Sequence, residues 1–175
     1  MAKRSIKDTK KKFRVARSIV KRSVGLPVSK SSLGAATKHP MVVFKAFLAT
    51  ETPTAKKIEL IRSGVTARVV DDMVEYLHVS KSEIFKVLRT PESTAHKLIK
   101  DNRPLDAGAS ERVVRVADIT RMAEDTFGGR EPATQWLKTP NLALDTATPL
   151  SMLDTEPGAS EVRRILSAIN YGGVF

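Results

Sequence analysis

Ser93, Thr94, His96, Lys97 and Lys100 lie within one short stretch and have the side-chain types that touch nucleic acid. On a helix that turns Ala95, Leu98 and Ile99 inward, they project outward together. Hydroxyl and ammonium groups suit phosphate oxygens, and the same groups with an imidazole can reach base edges. The plainer reading is a solvated outer face, which any short amphipathic helix in a bundle presents. Catalytic chemistry has less to work with. The three histidines, His39, His78 and His96, have no metal-ligand spacing. No Gly-rich phosphate loop, nucleophile elbow or repeated carboxylate motif occurs. The sequence contains no cysteine, which excludes thiol and disulfide chemistry. The expectation is a protein that is not an enzyme and uses no metal and no cofactor.

A second group stands at the end of the chain. Gly172 and Gly173 precede Val174 and Phe175, so an apolar tip and a carboxylate follow two glycines. Such a tip suits a partner cleft that holds arginines. Otherwise it is a frayed terminus.

Charge adds a third feature. Residues 1–38 hold twelve Lys and Arg against one acid, Asp8, which accounts for the formal +11 of the whole chain; the remainder carries 18 of each sign. A segment of this kind attracts nucleic acid, acidic protein or anionic lipid without choosing among them, or simply acts as a solubilising arm. Its Arg-, Lys- and Ser-rich composition superficially resembles an organellar transit peptide, but it lacks the apolar centre of a secretory signal. No stretch approaches the roughly 20 apolar residues of a membrane helix. Cytoplasmic residence without membrane contact is expected.

These groups need elements to hold them. Residues 1–24 can be partly helical, with Phe13, Ala16 and Val20 on one side, until Gly25 and Pro27 interrupt. For "MVVFKAFLA", residues 41–49, periodicity does not decide: Ala46, Leu48 and Ala49 favour helix, and Val42, Val43 and Phe44 favour strand. A helix over Thr54 to Ile61 closes at Gly64. A second, over Ala67 to His78, has a stripe of Val69, Val70, Met73, Val74 and Leu77. Ser80–Glu83 has capping-box spacing ahead of Ile84, Phe85, Val87 and Leu88. Thr90 is read as the cap of the next helix, with Pro91 at its first position. Residues 80–88 and 91–100 then form a helix-turn-helix, the second being the recognition helix. Ser110 is read as the start and cap of a longer helix to Phe127, stopped by Gly128–Gly129. A short helix from Glu131–Pro132 ends at Trp136–Leu137. Asn141 to Leu144 is a linker with buried leucines, and Thr148–Pro149 starts a single turn with Leu150 and Leu153. The last helix, capped by Thr155 with Pro157 in its first turn, buries Ala159, Val162, Ile165, Leu166 and Ile169.

The segment from Pro132 to Phe175 resembles the toxin-binding domain of the Xre/MbcA/ParS antitoxins. The resemblance is carried by Trp136–Leu137, Pro140–Asn141 with Leu144, Thr148–Pro149–Leu150, Leu153–Asp154–Thr155 and Gly158, followed by the terminal helix and glycine-containing tail. Residues from about Ala55 to Arg121 resemble the family's Xre-type helical domain. Two departures stand out. Asp145–Thr146–Ala147 replace the two glycines that often follow "NxAL" in the family, and the tail carries one glycine more.

The resemblance implies an all-α fold, an Xre-like helix-turn-helix bundle followed by a small helical toxin-binding domain. The expected divisions are a basic arm and connector over 1–50, the helical DNA-binding and dimerisation domain over 51–127, and the toxin-binding domain over 128–175. It also implies a type II antitoxin whose partner is a cognate RES-type toxin, a protein that consumes NAD or transfers its ADP-ribose. Operator DNA is an implied second partner, and a homodimer within a larger toxin–antitoxin complex is the implied assembly. Under this reading Arg163, Arg164, Asn170, Tyr171, Gly172, Gly173, Val174 and Phe175 contact toxin. Ser93, Thr94, His96, Lys97 and Lys100 contact DNA. Trp136, Leu137, Leu144, Leu150 and Leu153, with Leu142, hold the final helix. The alternative is a stand-alone helix-turn-helix regulator without a toxin partner; a structural adaptor ranks below both.

Overall fold

The computed structural model of the protein describes residues 41–49 and 52–172. The expected helix within residues 1–24, the basic arm, and Gly173, Val174 and Phe175 lie outside the described residues. Among the described residues the protein is all-α, with a single isolated bridge between Thr66 and Pro104. The elements are α1 (Met41–Ala49), α2 (Thr54–Ser63), α3 (Val69–Leu77), α4 (Lys81–Leu88), α5 (Glu92–Lys100), α6 (Ala107–Phe127), α7 (Arg130–Lys138) and α8 (Glu156–Asn170). Two 3-10 turns, Leu142–Leu144 and Leu150–Asp154, lie between α7 and α8.

The ambiguous apolar run is helical. Phe44 and Leu48, one turn apart, are both buried in α1, and the helix packs on α3 and α6. The buried Asp72 carboxylate accepts the Phe44 N–H at 3.2 Å, and the Phe44 ring meets Tyr76 edge-on at 5.5 Å. Burying one such ring contributes about 1.5–3 kcal/mol, which decides a segment whose local preference is divided.

α3 is shorter than expected at both ends. Ala67 donates its N–H to the Arg103 carbonyl at 3.0 Å, and His78 closes the helix in the left-handed region at φ 55°. Its Val69, Val70, Met73, Tyr76 and Leu77 are buried. The capping box of α4 is formed: Ser80 Oγ accepts the Glu83 N–H at 3.2 Å, and the Ser80 N–H donates to Glu83 Oε2 at 2.8 Å. Those hydrogen bonds favour the ionised carboxylate and hold the Glu83 pKa below its ordinary value.

Neither Thr90 nor Ser110 is the cap it was expected to be. Thr90 does not cap α5; Pro91 holds the N-cap position without a side-chain bond, and the Thr90 hydroxyl donates to the Leu88 carbonyl. Ser110 does not start α6. The helix begins at Ala107, where Asp106 Oδ1 accepts the Ala109 N–H at 2.8 Å. An acid one turn upstream satisfies the Ala109 amide, so Ser110 falls inside the helix. There it is fully buried and its Oγ accepts the Val65 N–H at 2.9 Å.

α6 is the spine, against which α1, α2, α4, α7 and α8 pack. Lys57 ties α2 to it through Asp118 at 2.6 Å. Gly128, at φ 77°, ends it as the left-handed residue after a helix usually does. One hydrophobic core runs from Phe44 in α1 through Ile119 in α6 to Leu166 in α8. Among the described residues no helix is long and apolar enough to cross a membrane.

Candidate functional site

α5 keeps one small side chain inside, Ala95, with Leu98 and Ile99 half-buried. Ser93, Thr94, His96, Lys97 and Lys100 are exposed. Lys97 and Lys100 make no ion pair with the described residues, so both ammonium groups are open to an anion. His96 is not simply solvated: its ring meets the buried Phe85 edge-on at 5.2 Å, which fixes its position against α4. Lys86 and Arg89 are also exposed beside this helix-turn-helix. Sequence reasoning passed over both because each sits between apolar residues of a short helix or its cap.

At the other end, α8 buries Ala159, Val162, Ile165 and Leu166. Thr155 Oγ1 accepts the Gly158 N–H at 3.3 Å, and Pro157 occupies the first turn. Arg163 is half-buried and donates to Glu156 Oε1 at 2.7 Å; Arg164 is exposed and binds Glu161 at 2.6 Å. Both cations are thus held by acids of their own helix, and a partner must compete with those acids. The same pairing keeps the Glu156 and Glu161 carboxyls below the ordinary carboxylate range, for Glu156 first through the Arg163 hydrogen bond and then through the charges of Arg163 and Arg115. Depressed carboxylates favour the folded state above the unfolded carboxyl pKa, and that contribution fades as acid protonates them. Asn170 and Gly172 are exposed, and Tyr171 is 91% exposed.

The residues that carry α8 come together behind it. Leu137, Leu144, Leu150 and Leu153 are buried. Trp136 is half-buried, its ring 5.4 Å from Phe127. Leu142 departs from expectation: it is 88% exposed. The reason lies in the turn it occupies. Asn141 Oδ1 accepts the Ala143 N–H at 2.9 Å, and the loop closes on itself through Asn141 N–H to the Ala147 carbonyl and Thr146 N–H to the Asn141 carbonyl, both 3.0 Å. That closure turns Leu144 in and Leu142 out. It also places Asp145 and Thr146 in the left-handed region, at φ 51° and 66°.

Arginines that sequence reasoning did not single out join this half to the helix-turn-helix half. Arg115, buried in α6, donates to the Leu153 carbonyl at 3.1 Å and to Glu111 at 2.7 Å, and pairs with Glu156 at 3.1 Å. Arg112 bridges the Asp154 and Leu88 carbonyls at 3.1 and 3.3 Å. Arg130, at the start of α7, donates to the Tyr76 and Glu75 carbonyls at 2.8 and 3.0 Å. Its guanidinium lies over the Tyr76 ring at 4.1 Å. The Tyr76 hydroxyl donates to Glu124 at 2.6 Å, and burial with that carboxylate raises its pKa far above the ordinary phenol. The available signal was Arg115 itself, a charge set inside the apolar run Val113–Ala117.

Comparison with known proteins follows the same two halves. A family model described as the antitoxin Xre/MbcA/ParS C-terminal toxin-binding domain matches residues 122–172, and one described as the antitoxin Xre-like helix-turn-helix domain matches residues 57–118. Over 125 residues, 66% of this chain and 79% of the relative, the sequence is 31% identical to a protein named Prs ADP-ribosylating antitoxin from Sphingobium sp. (strain YBL2). The chain belongs to the Xre/MbcA/ParS antitoxin family. The antitoxin is also 28% identical to the antitoxin Xre of Photorhabdus laumondii over 114 residues, covering 65% of this chain and 77% of that one. With the antitoxin Xre of Pseudomonas putida it shares 37% over 82 residues, 47% of this chain and 52% of that one. It is a type II antitoxin with a C-terminal toxin-binding domain, and its family is regulatory rather than catalytic. The reading of a stand-alone regulator therefore falls. The left-handed pair Asp145–Thr146, the exposed Tyr171 and α8 all lie within the toxin-binding match.

Proposed function

We propose that this antitoxin neutralises a RES-type toxin that consumes NAD, by lodging its C-terminal end in the toxin's active-site cleft. The observation that carries this reading is the toxin-binding match at residues 122–172, which ends at an exposed tyrosine and a glycine beyond the last helical residue. Arg163, Arg164, Asn170, Tyr171 and Gly172, with Gly173, Val174 and Phe175, supply the contact. Aromatic and arginine side chains are the usual energetic anchors of protein interfaces. Deletion of residues 171–175 is expected to leave helical content and thermal unfolding nearly unchanged, because Tyr171 and Gly172 add nothing to the core. The truncated protein still binds toxin through α8 yet fails to suppress NAD turnover fully. The deciding measurement is toxin-catalysed NAD loss at saturating antitoxin, full-length against truncated; complete inhibition by the truncated form removes the tail from the mechanism.

The second element of the proposal is autoregulation: a cytoplasmic homodimer, within a larger complex with toxin, uses α5 to bind its operator. The open face of Lys97 and Lys100 favours it, and the +11 of residues 1–38 adds a sequence-independent attraction. Lys97→Ala and Lys100→Ala are each expected to weaken operator binding and to lower the salt slope of log affinity by about one for each phosphate no longer neutralised. Toxin affinity should be unchanged. Gel-shift titrations at several salt concentrations, run beside a toxin pull-down, test this; equal loss in both assays would mean a damaged fold instead of a DNA surface.

A further inference from the structure

Among the described residues, the exposed large hydrophobic side chains are Ile58 at 43%, Leu142 at 88% and Tyr171 at 91%. Tyr171 belongs to the C-terminal tail, and Ile58 lies on α2 within the helix-turn-helix match. Leu142 is different in kind. It sits at the head of a loop that is closed by its own main chain, with Asn141 capping the turn through its side chain. Its neighbour Ala143 is also exposed, and the polar Asp145 and Thr146 are exposed in the same loop.

The backbone of this loop is held against preference. Left-handed conformations disfavour β-branched residues most, yet Thr146 adopts one at φ 66°, beside Asp145 at φ 51°, a residue type that enters this region more readily. Strain of this sort persists where the surroundings over-determine it, and it clusters at ligand clamps and binding loops. Here its result is definite: Leu144 reaches the core and Leu142 points to solvent. A leucine held outward by a closed, hydrogen-bonded turn loses little conformational freedom on binding, which is the general advantage of a preorganised contact.

The toxin-binding match contains this loop whole, at residues 122–172. We propose that Leu142 is a preformed anchor of the antitoxin that seats in an apolar pocket on the toxin, a contact separate from the terminal tail. This rests on the reading that the C-terminal region engages a toxin. It assigns the two contacts different work: the tail occludes chemistry, and the Leu142 turn holds the complex together.

The test uses the full chain and the recombinant product of the gene adjoining its own as the probe. Affinity is measured by calorimetry for the unmodified chain, Leu142→Ala, Leu142→Asp and the control Ile58→Asp. Thermal unfolding and sedimentation of each antitoxin alone are recorded beside it. The expected result is about a tenfold loss for Leu142→Ala and on the order of a hundredfold loss for Leu142→Asp. Folding and oligomeric state should be unchanged in both, and Ile58→Asp should bind like the unmodified chain. Unchanged toxin affinity for Leu142→Asp, with the unmodified chain binding, overturns the anchor and leaves the toxin reading standing. A Leu142→Asp protein that loses self-association while keeping its toxin affinity assigns the turn to a second copy and also overturns the proposal. If the unmodified chain does not bind the probe, the toxin reading fails and the anchor fails with it.

Discussion

Arg115→Ala is expected to lower the unfolding free energy by about 3 kcal/mol, the lower part of the range for breaking a buried ion pair. The reason is what the substitution leaves behind. The Leu153 carbonyl, on a residue with no exposed surface, loses its donor, and an unsatisfied buried polar group costs about 1–3 kcal/mol. Glu111 and Glu156 lose the cation between them, but both side chains are partly exposed, so water recovers some of that loss. The volume of a long side chain also disappears from the seam between α6 and the Leu150–Asp154 turn. Urea unfolding checks the magnitude. Arg115→Met, which refills the volume without the charge, is expected to regain part of the loss and not all of it. Full recovery by methionine would mean that Arg115 acts as packing alone.

Gly158→Ala is the second large effect, and its sign runs against helix propensity. Alanine is the better helix former by about 1 kcal/mol. At this position, however, a Cβ would overlap the Met152 carbonyl oxygen and stand 3.1 Å from Thr155 Oγ1. The obstruction is backbone, and it cannot swing aside as a flexible side chain does. α8 must retreat from the Leu150–Asp154 turn, or the turn must open. We expect a net destabilisation of about 2–3 kcal/mol, in the range for overpacking a filled site. Toxin affinity should fall with it, since α8 and that turn lie in the same toxin-binding segment. Thermal unfolding beside calorimetric titration of toxin provides the check. A stabilised variant would show that the two segments slide apart freely.

The sequence disclosed what is decided locally and hid what is decided by a distant neighbour. The capping box at Ser80–Glu83, the Thr155 cap and the apolar stripe of α8 rest on spacings of three and four residues, and all are present. The two family halves were legible from an ordered set of motifs. Ser110 was misread because serine and aspartate are both good caps. Only the remote Val65 amide explains why the serine is used inside the fold. Leu142 was misread as core because Asn141–Ala147 has no regular period, so no face can be assigned from order alone. Arg112, Arg115 and Arg130 escaped notice as joints because their acceptors are carbonyls far along the chain, which leave no trace in residue type.

Joints made to main-chain carbonyls set their own constraint on which residues the fold depends on. Arg112, Arg115 and Arg130 grip the main chain at Leu88, Asp154, Leu153, Tyr76 and Glu75. Every residue offers the same carbonyl, so these hydrogen bonds place no demand of their own on residue type where they grip, although the Tyr76 ring also lies under Arg130. The load between the two halves of the molecule thus rests on three side chains and on main chain, and exposed positions beside the turn carry none of it.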